Sequence, residues 1–155
     1  MMASSAGYVL QKTLKLLGLP PSRIFVHVLS KGTNVHSESE IEVLEKIVEE
    51  NQIERAIILD QGSRPGPVIR NLPDGLGAVL VIDHHQSDEV STICIHFLDA
   101  LTGLQFPDGA NILTACKSSP IANASLLTYL TCLPLHPDVR EKTDWAALMG
   151  TVGGK

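Results

Sequence analysis

Asp83-His84-His85 is the densest concentration of metal-ligating side chains in the 155-residue chain. One carboxylate beside two imidazoles suits a hard-to-borderline divalent cation such as manganese, zinc or iron. On an extended backbone adjacent side chains point to opposite sides, so one histidine is expected on the metal and the other towards a substrate. Asp60 is the second candidate. Like Asp83, it directly follows a short apolar run, 56–59 in one case and 78–82 in the other. Runs without polar alternation read as strands covered on both faces. Asp60 and Asp83 are thereby expected at the carboxyl ends of two parallel strands, the edge where open α/β sheets gather ligands.

The elements that must position these residues follow from periodicity and punctuation. Leucines at near-helical spacing before Gly18 and Pro20-Pro21 predict a helix over 8–18. Residues 23–30 (Arg-Ile-Phe-Val-His-Val-Leu-Ser) are β-branched and aromatic and predict a strand. Ser37-Glu-Ser-Glu40 is a capping-box pattern, and Ile41, Leu44, Ile47 and Val48 make the buried stripe of the helix it opens. Residues 61–74 are too rich in Gly and Pro for a long crossover helix, although 68–71 could make one turn. Ser118 or Ser119 is expected to cap a helix that Pro120 opens and Pro134 ends, and a last helix is expected over 137–149. Of the other histidines, His27, His36 and His136 read as packing or turn residues rather than ligands.

Composition narrows the classes. At 44% hydrophobic residues the chain suffices for one domain with one core. A net charge of −5 leaves no strong basic nucleic-acid surface and disfavours a membrane-surface role. Aromatic residues at 4% argue against stacking platforms for single strands. Cys94, Cys116 and Cys132 form no close pair, so neither a disulfide framework nor a cysteine zinc site is expected, and an intracellular, cytoplasmic setting fits best. Lys12 and Lys15 interrupt the first apolar run, which is neither a signal nor a membrane span. Asn123-Ala-Ser matches a glycosylation sequon but lies in an apolar helical pattern and is set aside.

Val79-Leu-Val-Ile-Asp-His-His85 resembles motif III of the DHH phosphoesterases, the superfamily of RecJ exonucleases, oligoribonucleases and manganese pyrophosphatases. Ile57-Ile-Leu-Asp60-Gln-Gly-Ser is similar to motif II of the same family. Residues 114–120, 127–130, 133–137 and 149–153 resemble its fungal branch. The resemblance implies a doubly wound, mainly parallel α/β sheet and hydrolysis of phosphodiester or phosphoanhydride bonds by a water activated between two Mn2+ or Mg2+ ions. It implies that Asp60 and His84 are metal ligands, that His85 contacts phosphate, and that Asp83 orients the histidines from behind. Arg64 is assigned to clamp a phosphate oxygen, with a solvated loop arginine as the alternative. The expected partner is a phosphate-containing small molecule or short oligonucleotide.

Two departures qualify this. The family's motif I, His-x-x-x-Asp-x-Asp-Gly, has no counterpart, and Met2-Ala-Ser-Ser-Ala-Gly7 resembles the helix start that follows it. Motif IV, Gly-Thr-x-Gly-Asp, is matched by Gly150-Thr-Val-Gly-Gly154 without its aspartate. The chain is therefore expected to be a single partial DHH domain over 1–155, without a second substrate-binding domain and nearly inactive. Residues 90–105 read as an insertion with the form of a translated short intron, the alternative being an ordinary loop. Two other classes remain: a noncatalytic scaffold of the same fold, and a nucleotide-binding module using Gly62 to Gly66 at a strand end.

Overall fold

The computed structural model describes residues 2–30, 32–61, 78–85, 110–114 and 122–153. They fall into two compact units, Met1–Val28 with Ser119–Lys155, and Leu29–Ser118. The first is helical and the second carries a parallel sheet, so the chain is of mixed α/β class.

In the helical unit, α1 (Met2–Leu16), α3 (Ala124–Cys132) and α4 (Val139–Val152) pack against one another. α1 starts six residues before the expected boundary because its first turns are built from small residues, which give no apolar periodicity; Ala6 is nevertheless fully buried. It ends as expected: Gly18 takes φ +89°, Leu19 N–H reaches Leu14 O (3.0 Å) and Gly18 N–H reaches Lys15 O (3.1 Å). This left-handed cap uses the freedom of glycine to satisfy the last carbonyls. Val9, Cys132, Val139 and Ala146 form the core. Buried Thr13, Thr128 and Thr143 turn their hydroxyls onto the carbonyls of Val9, Ala124 and Val139, so each of these three hydroxyls has a partner in the apolar interior.

Two expectations are corrected here. α3 does not start at Ser118, Ser119 or Pro120. Its cap is Asn123, whose side chain accepts Leu126 N–H (2.9 Å) and donates to Gly150 O (3.2 Å). An Asn cap satisfies a free helix N–H directly, which Pro at the first helical position cannot do. Likewise the last helix does not end at Met149: it starts at Val139 and Gly150-Thr-Val152 forms its last turn. A Cβ on Gly150 would collide with the Ser125 side chain and come within 2.9 Å of Ser5 Cβ. Glycine is there because three helices converge on it.

In the sheet unit, β1 (Arg55–Leu59), β2 (Ala78–Asp83) and β3 (Ala110–Thr114) pair parallel in the order β1-β2-β3. Leu59 lies opposite Ile82, and Asp83 opposite Thr114. β2 is covered on both faces as expected, with Val79, Val81 and Ile82 buried. β1 is not: Ile57 remains 37% exposed, because β1 is the outer strand of the described sheet. β3 was not foreseen. α2 (Glu38–Glu50) buries Ile41 and Val48, and Val48 packs with Val35, Leu29, Leu44, Ile53, Ala56 and Ile58. Ser37 is its N-cap residue, but the side-chain half of the expected capping box is absent: Ser37 Oγ donates to Asn34 O (2.7 Å) instead.

Of residues 23–30, expected as a strand, Arg23 ends a short 3-10 turn and 24–30 carry no regular secondary structure. Ile24 N–H closes a tight turn onto Pro21 O, and Phe25, Val26 and Val28 are exposed. β-Branched composition makes a pleat comfortable, but only a neighbouring ladder makes a strand. No described helix is long and apolar enough to cross a membrane. The possible turn at 68–71 and the insertion at 90–105 lie outside the described residues.

Candidate metal centre

Parallel pairing brings the two aspartates to neighbouring strand ends. Asp60 N–H donates to Ile82 O (2.9 Å), continuing the ladder one step past β1. The backbone of Asp60 then turns left-handed, at φ +61°. An L-residue with a side chain holds that conformation at a cost of about 1 kcal/mol or more, and aspartate tolerates it better than most. The other left-handed residue with a side chain among those described is Gln52, in the cap that ends α2.

Asp83 closes β2 with its side chain only 2% exposed. Its Oδ1 accepts from His84 N–H (2.8 Å) and His85 N–H (3.3 Å) and lies 2.6 Å from His85 Nδ1. A carboxylate can only accept, so the His85 proton sits on Nδ1 and its Nε2 is left for a ligand. Asp83 thus holds His85 through the ring and His84 through the backbone. Because both amides turn towards one oxygen, the two rings do not point to opposite sides as expected of an extended backbone. They lie beside each other, with centroids 4.5 Å apart and planes 35° apart.

His84 Nδ1 lies 3.1 Å from Asp60 Oδ1. The geometry is not that of a hydrogen bond, and both buried atoms lack any other hydrogen-bonding partner. Such atoms are rare in native interiors. Here they converge, and ligand atoms from Asp60, Asp83, His84 and His85 all lie within 4.8 Å of one another. Burial pushes the Asp60 carboxyl above its usual range; the nearby His84 and His85 pull it back and Asp83 reinforces the rise. A cation between Asp60 and His84 would answer both deficits, giving each bare atom a partner and the buried carboxylate a countercharge. The residues present therefore fit a divalent metal.

All four clustered residues were singled out from sequence, whereas Arg64 lies outside the described residues, as does the Gly62 to Gly66 loop. His36 is half-buried ahead of α2 and stands outside the cluster. His136 is a turn residue, its Nδ1 accepting Asp138 N–H (3.1 Å). What sequence reasoning missed is the left-handed backbone of Asp60, for which the following Gln61-Gly62 gave only a turn signal. Comparison of the chain with protein-family models, with curated proteins and with solved structures returned no match.

Proposed function

We propose that this chain is a metal-dependent phosphoesterase domain of the DHH type, with a doubly wound sheet and a preference for Mn2+ or Mg2+. The observation that carries the reading is the pair of buried atoms Asp60 Oδ1 and His84 Nδ1, 3.1 Å apart without hydrogen-bond geometry, meeting at the ends of two parallel strands. Asp60 and His84 hold the ion. His85, half exposed and fixed by Asp83, presents Nε2 to a phosphoryl oxygen and donates to it when protonated. The ion's chemistry is Lewis-acid polarisation of phosphate and acidification of water, which serves hydrolysis of a phosphodiester or phosphoanhydride with water as nucleophile. The substrate class is a phosphate-containing small molecule or short oligonucleotide.

One observation favours a second reading, a noncatalytic scaffold that keeps a metal site. Among the described residues the four ligand atoms form one group, enough to hold one ion, whereas hydrolysis in the DHH family uses two. Calorimetric titration with MnCl2, followed by phosphate release from pyrophosphate and cleavage of a short oligonucleotide, separates the two. We expect one ion per chain at this centre, with binding weakened at least about tenfold by Asp60→Asn or His84→Gln. Equal binding by wild type and both variants refutes the metal centre. Binding without turnover assigns the scaffold.

A further inference from the structure

The solvent-facing side of α4 changes character halfway along. Its first half exposes Arg140, Glu141, Lys142 and Asp144, and its second half exposes Trp145, Leu148, Met149 and Val152. Spacings of three, four and seven place these four on one helical stripe. They are 54%, 64%, 54% and 65% exposed, while the opposite face of the same helix buries Val139, Thr143, Ala146, Ala147 and Gly150. Tyr8 of α1, 39% exposed, extends the stripe sideways, its ring 5.0 Å from that of Trp145. Single exposed apolar residues are ordinary, but a contiguous patch on a well-packed helix marks an interface.

We propose that this face of α4 is the contact of a symmetric dimer, covered by the same face of a second copy of the chain. Size is the first argument. The exposed fractions of five large side chains amount to roughly 500 Å² per chain, or roughly 1,000 Å² over two copies, the lower bound of a specific interface and that of a weak one. Shape is the second. If two α4 helices cross antiparallel about a two-fold axis between Leu148 and Met149, Trp145 falls against the partner's Val152 and Leu148 against the partner's Met149. The stripe is thus its own complement, large residue against small, as an isologous contact requires. Charge is the third. The chain carries −5, yet Arg140 and Lys142 balance Glu141 and Asp144, so α4 itself is neutral and two copies meet without repulsion. Antiparallel helix dipoles favour the same arrangement. A neutral face with no basic excess has little to attract it to an acidic membrane.

Trp145 is the sole tryptophan and sits in the patch, so it reports directly on whether the patch is covered. The test is sedimentation equilibrium of the full chain over a hundredfold range of concentration, with Trp145 emission recorded at each point, for wild type, Leu148→Glu and Met149→Lys. Both substituted side chains are exposed, and circular dichroism checks that each variant folds. We expect wild type to pass from monomer to dimer in the micromolar range, with Trp145 emission shifting to the red on dilution. Both variants are expected to stay monomeric with red-shifted emission at every concentration. A wild type that is monomeric throughout overturns the proposal, as does a dimer that survives both substitutions with unchanged Trp145 emission.

Discussion

Asp60 holds a left-handed backbone and a carboxylate whose ionisation is opposed by burial, and both cost stability in the metal-free protein. Replacing it with glycine should therefore stabilise the metal-free protein while abolishing the site. Relief of a left-handed conformation is worth about 1 kcal/mol for aspartate, the lower end for L-residues. In a chain of this size that corresponds to a rise in melting temperature of about 2–4 °C. Removing a buried carboxylate whose ionisation is opposed by burial adds in the same direction. With Mn2+ at a hundredfold its dissociation constant, wild type gains about 2.7 kcal/mol and the glycine variant gains nothing, so the order reverses. Gln52→Gly is the control. Gln52 occupies the left-handed position of the cap that ends α2, where Ile53 N–H meets Val48 O (3.0 Å) and Gln52 N–H meets Glu49 O (3.3 Å). Its replacement should give a similar rise with or without metal. Differential scanning fluorimetry of the three proteins in EDTA and in MnCl2 reads all six cases. If Asp60→Gly melts below wild type in EDTA, the left-handed backbone is not held against a cost, and the functional reading of Asp60 loses its physical basis.

Gly150→Ala gains about 1 kcal/mol of helix propensity but drives a Cβ into Ser125 and Ser5, so a net loss of about 1–2 kcal/mol should appear as a lower urea midpoint. Asn123→Ala removes the cap of α3 and the bond to Gly150 O, and should cost about 1 kcal/mol in the same assay. Burial pushes the Cys132 thiol up, opposed by a hydrogen bond with Thr13. In a Cys94→Ser, Cys116→Ser background the remaining thiol should therefore react with a disulfide reagent at pH 8 only as fast as the protein opens; reaction at the rate of a free thiol would show that the helical core does not shield it.

How much of this was legible in the sequence depends on whether a residue's signal is local. The strand ends at Asp60 and Asp83 were readable because uninterrupted apolar runs stop there, and α2 because its stripe and its acidic face alternate cleanly. β3 was not, since Ala110-Asn-Ile-Leu-Thr has only two large apolar residues and its identity as a strand comes from lying beside β2. The reverse error came at 23–30, where local propensity is strong and no ladder forms. At α3, Pro120 was read as the start signal, whereas the cap is Asn123, held by Leu126 N–H and by a bond to Gly150 O, a residue 27 positions away. Within the centre, residue identities were legible but their division of labour was not, because it rests on backbone direction after each strand.

That division is the physical content of the site. Parallel register places Asp60 and Asp83 side by side, yet the two carboxylates are not equivalent. Asp83 ends its strand in regular geometry, and its Oδ1 is engaged by two backbone amides and one imidazole, so it shapes the turn that carries the histidines. Asp60 leaves its strand through a left-handed residue that aims Oδ1 at His84 without bonding it. An aspartate kept only for its turn would be expected to bond its own backbone, as Asp83 does. A buried oxygen facing an imidazole nitrogen at 3.1 Å without hydrogen-bond geometry leaves a lone pair on each side, and the proposed metal centre assigns those two lone pairs to one cation.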